Sequence, residues 1–283
     1  MAFEIQAHRG ARAFFPENTV QAFCHAAQLG VRVVELDLVV SSDHQVLVSH
    51  DPWIAAPLCA DSQGDPLLAG DRSRIIYDMS YADIAFFNCG LPHPSFPQQA
   101  RIRACKPLLA TVFREVDAFM ADAGLEGAML YNLEIKSWRE KDGLLHPAPE
   151  RYAALVVQLV EAAGFAARVR IQSFDVRVVR EAWRLNPQLC YGLLVDRVEN
   201  GVKKIAEQIQ CSLEMLGFLP AYVNPHRSLV DRPLVEWLHE QKIMMIPWTV
   251  NALEEMLFMQ QIGADGIITD HPERALALLS GNA

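Results

Sequence analysis

The chain has 283 residues, 51% hydrophobic and 21% charged, with 25 Lys and Arg against 34 Asp and Glu for a net charge of −9. That apolar fraction excludes a disordered chain, and no uncharged apolar run approaches the ~20 residues of a membrane span. The acidic balance, free of long single-sign blocks, gives no basic face for nucleic acid.

Apolar patterning predicts strands and helices in alternation. Strand Phe3–His8 is followed by helix Asn18–Leu29, and strand Val31–Val40 by a short strand Gln45–Ser49. Helix Thr111–Ala123 then precedes strand Met129–Lys136 and helix Tyr152–Ala163. Strand Val169–Ser173, helix Val176–Leu185, strand Cys190–Val195 and helix Val202–Ile209 continue the rhythm. Strand Met215–Tyr222, helix Leu234–Gln241, strand Ile243–Val250, helix Leu253–Ile262, strand Gly266–Thr269 and helix Glu273–Leu279 complete it. Gly30, Gly124, Gly164 and Gly263 stand just past helix ends, where a left-handed turn favours glycine. Eight such units in one domain, 1–283, point to an α/β fold of the (β/α)8 TIM-barrel class. The alternative, an open doubly wound sheet, lacks its GxGxxG turn. Residues 52–107 break the rhythm and read as a small insertion after the second barrel strand, on the catalytic side.

Six cysteines lie far apart with no CxxC pair, which excludes the common zinc and thioredoxin motifs. A reducing compartment is expected, with a pairing among Cys59, Cys89 and Cys105 left open. No secretory leader precedes the first strand, so a cytoplasmic protein is expected, or a periplasmic one if a signal peptide has been removed.

Residues two apart on a strand share a face. Val33, Glu35, Asp37 and Val39 therefore point one way, as do Asn132, Glu134 and Lys136 on the next barrel strand. Branched apolar side chains normally fill such an interior, and inward carboxylates are costly unless compensated. With His8 and Arg9 ending the first strand, these groups meet on the C-terminal rim, where this fold places its active sites. Three carboxylates without a nearby cysteine suit a hard divalent cation, Mg²⁺ or Ca²⁺. Spacing alone leaves open a plain ion network balanced by Arg9 and Lys136. His8, with His50 at the end of the short strand, favours chemistry.

The ordered motifs His8-Arg9-Gly10, Pro16-Glu17-Asn18-Thr19, Glu35-Leu36-Asp37 and His50-Asp51 resemble the signature of the glycerophosphodiester phosphodiesterase family. Asn132-Leu133-Glu134-Ile135-Lys136, Gln172-Ser173-Phe174-Asp175, Trp248-Thr249-Val250-Asn251 and Asp265-Gly266-Ile267-Ile268-Thr269-Asp270 extend the resemblance to residue 272. It implies a (β/α)8 barrel with an insertion after strand 2. Glu35, Asp37 and Glu134 match the family's metal ligands, His8 and His50 its acid–base pair, and Arg9 and Lys136 its phosphate-holding positions. Trp248 matches an apolar wall of the substrate cleft, although a plain core role would also suit it. Gln172 is a further binding candidate, with Glu17, Asn18 and Asp270 in support. Asn18 would equally serve as a helix N-cap, and Asp270 as a cap for the last helix. His271 departs from the pattern, standing where the family often has an aromatic residue. Within the insertion, Cys89–Pro94 and Phe96-Pro97 are expected to shape the leaving-group side.

The resemblance implies metal-dependent hydrolysis of a small glycerophosphodiester to glycerol 3-phosphate and an alcohol. His8 is read as base and His50 as acid, with the attacking oxygen coming from the substrate's glycerol or from water. Two alternatives remain at this level: a lysophospholipase D-like activity, which needs a long apolar groove in the insertion, and a non-catalytic glycerol phosphate-binding barrel.

Overall fold

The computed structural model describes residues 3–65, 67–125, 127–196 and 205–280. Eight parallel strands form a nearly closed barrel: β1 Glu4–His8, β2 Val33–Val40, β4 Leu130–Ile135, β5 Val169–Ser173, β6 Cys190–Val195, β7 Tyr222–Pro225, β8 Met244–Met245 and β9 Gly266–Thr269. Around it run α1 Val20–Gln28, α3 Leu109–Asp122, α4 Pro149–Ala162, α5 Val176–Leu185, α6 Ile205–Leu216, α7 Arg232–Glu240, α8 Leu253–Ile262 and α9 Pro272–Leu279. The expected TIM barrel is what the chain forms. No helix among the described residues is long and apolar enough to cross a membrane.

Strand alternation divides the barrel wall into two chemistries. Val34, Leu36 and Leu38 of β2, with Tyr131, Leu133 and Ile135 of β4, are fully buried on the helix-facing side. There Phe113 of α3 stacks on Phe165 at 4.1 Å and meets Tyr131 edge-on at 4.8 Å. The other face is unusually polar: Asn132 Nδ2 donates to Gln6 Oε1 at 2.8 Å, and Asn224 Nδ2 to Gln172 Oε1 at 2.5 Å. Each amide pair shares one buried hydrogen bond beneath the rim.

The predicted strand Met215–Tyr222 is displaced. Ile209, Leu213 and Leu216 recur at helical spacing and are buried, so α6 runs to Leu216, and the strand begins at Tyr222. Gly217, at φ 76°, separates the two. The start of the predicted helix Val202–Ile209 lies outside the described residues. Strand β8 is regular over only two residues, because Pro247 offers no N–H to a ladder. Barrel closure there relies on single bonds, such as Ile268 N–H to the Pro247 carbonyl at 2.9 Å.

Between β2 and α3 the chain leaves the barrel. Strand β3, Val46–Val48, folds back antiparallel on β2, and a four-residue helix α2, Tyr81–Ile84, follows. Val39, Leu47, Ile54, Cys59, Ile76 and Ile84 form a small core of their own. A disulfide joins Cys59 to Cys89, while Cys105, the third member of the group left open by sequence, is a free thiol.

Replacing Phe113 by Ala removes the stacked ring between barrel and helix layer. We expect a loss of about 3–5 kcal/mol in denaturant unfolding; a change below about 1 kcal/mol would show that the cluster is not part of the cooperative core.

Candidate active site

Strand register sets the site. His8 pairs with Glu35, Glu35 with Asn132, Asp37 with Glu134, and Glu134 with Gln172, so these side chains line one face in succession around the rim. Glu35, Asp37 and Glu134 are buried and offer ligand oxygens within 4.8 Å of one another. Lys136 Nζ lies 2.8 Å from Asp37 Oδ1 and 2.6 Å from Glu134 Oε1.

The loop after β1 supplies the next layer. Arg9 and Gly10 both take left-handed conformations, φ 55° and 85°. A Cβ on Gly10 would come within 2.7 Å of the Ala22 Cβ, so only glycine fits against α1 here. The turn aims the Arg9 N–H at Glu35 Oε2, 3.1 Å away. The Arg9 guanidinium reaches Asp37 at 3.2 Å and Glu17 at 2.8 Å, and Arg12 holds the other Glu17 oxygen at 2.7 Å. Asn18 is not the helix cap: Thr19 accepts the capping bond from Ala22 N–H. Asn18 instead donates to Asp37 Oδ2 at 2.8 Å and accepts from the Asp37 N–H.

Each histidine carries a carboxylate on Nδ1. His8 Nδ1 lies 2.7 Å from Asp270 Oδ1, and His50 Nδ1 lies 2.9 Å from Asp51 Oδ1. Asp270 is therefore a partner of His8 rather than a cap; helix α9 has no side-chain cap. Asn251 Nδ2 holds the second Asp270 oxygen at 2.8 Å, and Arg12 lies 3.4 Å from the first. With Nδ1 engaged, Nε2 is the atom each ring leaves for chemistry. Both rings line a cavity of about 110 Å³ with Arg9, Glu35, Glu134, Lys136 and Gln172, walled by Phe174, Leu194, Trp248 and Ile268. Trp248 Nε1 donates to the Asn224 carbonyl at 2.8 Å, and its ring meets Phe174 edge-on at 5.5 Å.

Burial and charge set the protonation states. Burial pulls the His8 imidazole below its ordinary value, and Asp270 only partly restores it. Burial alone would raise Asp37, but Lys136 and Arg9 outweigh it and hold the carboxyl well below its usual range. Glu17 is likewise brought down to about 2, as Arg9 and Arg12 overcome its burial. Glu35 goes the other way: burial first, then Asp37 and Glu134, push it well above the carboxylate range. Glu35 is also the cluster member with no side-chain ion pair among the described residues. This hard-oxygen donor set fits a divalent cation, which would favour the ionised form of Glu35.

Every sequence-predicted site residue reaches this rim or directly supports it. Sequence reasoning missed Arg12, Asp51 and Asn251, as well as the apolar walls Phe174, Leu194 and Ile268. Asp51, Asn251 and Phe174 stand inside the motifs already noted, whereas Arg12 gave no signal beyond its place between His8 and Glu17. The insertion's Phe96 lies on the His8 side, with its ring under the Arg12 guanidinium at 5.1 Å and beside His271. The groove beside His50 is built by other residues: Trp53 and Ile75 from the insertion, Trp138 and Leu145 from the loop after β4.

The sequence profile of the glycerophosphoryl diester phosphodiesterase family matches residues 8–274. A glycerophosphodiester phosphodiesterase of Caldanaerobacter subterraneus is 28% identical over 280 residues, 97% of each chain. A crystal structure from Silicibacter pomeroyi, of a candidate glycerophosphoryl diester phosphodiesterase, shares 26% identity with a TM-score of 0.86, covering 99% of this chain and 94% of that one. An Oleispira antarctica phosphodiesterase, solved with its product sn-glycerol-3-phosphate, is alike in fold: TM-score 0.73, 20% identity, coverage 98% and 96%.

The negative charge of Asp270 favours protonated His8. Asp270→Asn should therefore lower the His8 pKa further, which a ¹⁵N NMR titration of the ring would read. A rise would contradict the assigned pairing.

Proposed function

The chain belongs to the glycerophosphoryl diester phosphodiesterase family, whose members are phosphoric diester hydrolases, and we propose that it works with His8 and His50 as an acid–base pair beside a divalent cation. The carrying observation is the cavity in which two carboxylate-braced imidazoles face Glu35 and Glu134 of the carboxylate cluster and the cations Arg9 and Lys136. In this reading the substrate is a small glycerophosphodiester, and the products are glycerol 3-phosphate and the free alcohol. The third reading, a non-catalytic barrel, does not suit a member of a hydrolase family with these positions filled.

Glu35, Asp37 and Glu134 would hold the cation, Mg²⁺ or Ca²⁺; once bound, it neutralises charge on the phosphoryl oxygens. Arg9 and Lys136 bind and orient the phosphate and stabilise the charge that builds on it in the transition state. His8, whose burial favours the neutral ring, takes the proton of the attacking oxygen. His50, at the mouth of the groove, gives a proton to the departing alcohol. The attacking oxygen is either the substrate's own glycerol hydroxyl, forming a cyclic phosphate that water then opens, or water directly. Following the reaction by ³¹P NMR separates the two by the presence or absence of the cyclic resonance.

A second reading is favoured by one feature. The groove beside His50 encloses about 510 Å³ and is walled largely by Pro52, Trp53, Ile75, Trp138 and Leu145. That volume falls within the ~300–1,000 Å³ of ligand sites and supports a lysophospholipase D-like action on an acylated diester. Rates on glycerophosphoethanolamine and on a lysophospholipid decide between the readings. As to compartment, a disulfide persists best under oxidising conditions, so the Cys59–Cys89 bond favours the periplasmic placement over the cytoplasmic one.

Ala at His8 or His50 should each cost about 10²–10⁴-fold in turnover of glycerophosphocholine while the fold is retained; wild-type turnover in either variant refutes its role. Chelation with EDTA should abolish activity, and Mg²⁺ or Ca²⁺ should restore it. Activity that survives complete chelation removes the cation from the reaction.

A further inference from the structure

His8 and His50 are not equally supported. His8 ends a barrel strand, and Asp270 behind it is gripped by Asn251 and Arg12. His50 lies beyond β3, outside the barrel wall, half-exposed, and its carboxylate partner is its own neighbour Asp51. Its aim therefore depends on the turn Ser49–His50–Asp51.

That turn is tied from below by a lysine which the reaction described above does not use. Backbone bonds lace residues 107 and 108 to β3: Val48 N–H donates to the Pro107 carbonyl at 2.8 Å, and Leu47 bridges Leu108. This lacing carries Lys106 under Ser49, where its Nζ lies 2.6 Å from the Ser49 Oγ. Ser49 Oγ in turn donates to the Asp51 carbonyl at 2.7 Å, and Ser49 N–H is fixed on the Asp37 carbonyl at 2.9 Å. Lys106, His50 and Glu17 wall one small cavity of about 20 Å³, next to the catalytic one. No carboxylate among the described residues pairs with Lys106, so the hydroxyl is its one polar side-chain contact.

We propose that Lys106 is a positioning residue for His50. An ammonium can only donate, so the Ser49 hydroxyl must accept from it and is left with its own proton for the Asp51 carbonyl. The direction of the chain Lys106 to Ser49 to Asp51 is thereby fixed. The closed turn presents the Asp51 carboxylate to His50 Nδ1 and leaves Nε2 free of it on a ring that lines the cleft. The inference rests on the reading of His50 as the acid for the leaving alcohol.

The test compares glycerophosphocholine with a glycerophosphodiester of p-nitrophenol, whose anion departs without a proton. K106M and S49A should each lower kcat on glycerophosphocholine by about 10–100-fold with KM little changed. The loss on the activated diester should be much smaller, as it should be for H50A. The K106M/S49A pair should be no worse than either single change, because both break one chain, and K106R should recover much of the rate. Wild-type kcat in K106M, or equal losses on both substrates while H50A loses selectively, overturns the proposal. If K106M does not fold, S49A carries the same comparison. If H50A itself loses both rates equally, the acid assignment falls, and Lys106 stands only if K106M repeats the H50A ratio; a different ratio overturns it.

Discussion

Buried negative charge at the barrel mouth is the constraint on which the rest depends. Glu35, Asp37 and Glu134 are 2%, 1% and 7% exposed, and ionised carboxylates so placed are costly without counter-charge. The compensation is built into the same secondary structure. Lys136 stands two residues beyond Glu134, so alternation puts its ammonium on the face where the carboxylates are. Arg9 follows directly on β1, and its left-handed backbone turns both its amide and its guanidinium toward the cluster. Asp37 thereby gains two cations and an amide, whereas Glu35 gains only an N–H. Burial leaves both Glu35 and Glu134 above the usual carboxylate range, and a cation held between them would favour their ionised forms. A cation bound there by the native state alone would stabilise that state by mass action.

The two imidazoles divide along a structural boundary. His8 belongs to the barrel, whose register and packing leave its ring one orientation. His50 belongs to the excursion between β2 and α3, which has its own small core and its own disulfide. In the proposed reaction, His8 handles the part of the chemistry common to every glycerophosphodiester, and His50 meets the part that differs from one alcohol to the next. A rigid scaffold carrying the invariant step and a loop carrying the variable one is how barrels adapt a single rim to several substrates.

Much of the site was legible because a strand has a period of two. Once Val33–Val39 and Asn132–Lys136 are read as strands, the inward placement of Glu35, Asp37, Glu134 and Lys136 follows without knowing which strands are neighbours. What sequence could not deliver was contact across long separations. The Asp270 carboxylate meets His8 across 262 positions, and from local pattern the same residue looks like a cap for α9. Asn18 gave a similar false local signal, because Asn at a helix entrance is an ordinary cap; its turn toward Asp37 depends on β2 lying beside it. The seventh strand was misplaced because a buried amphipathic helix and a buried strand both present apolar runs, and only Gly217 marks the change. Among Cys59, Cys89 and Cys105, the choice of pair follows from the Ala60–Asn88 bridge, a tertiary fact.

The crowding of functional side chains into residues 8–19 has a physical explanation in that bridge between distant elements. The segment crosses the rim from β1 to α1, and its polar groups fill the space between the carboxylates of β2 and the end of β9. Along it, charges alternate: Asp37 pairs with Arg9, Arg9 with Glu17, Glu17 with Arg12, Arg12 with Asp270, and Asp270 with His8. Each group is buried or largely so, and each neutralises its neighbour, so deleting one leaves an uncompensated charge rather than merely a lost contact. Asp37 of the carboxylate cluster and the proposed base are thus members of one ion-pair chain, which Lys136 extends to Glu134. The His8 ring and the carboxylate cluster are thereby joined by continuous contacts through Arg12, Glu17 and Arg9.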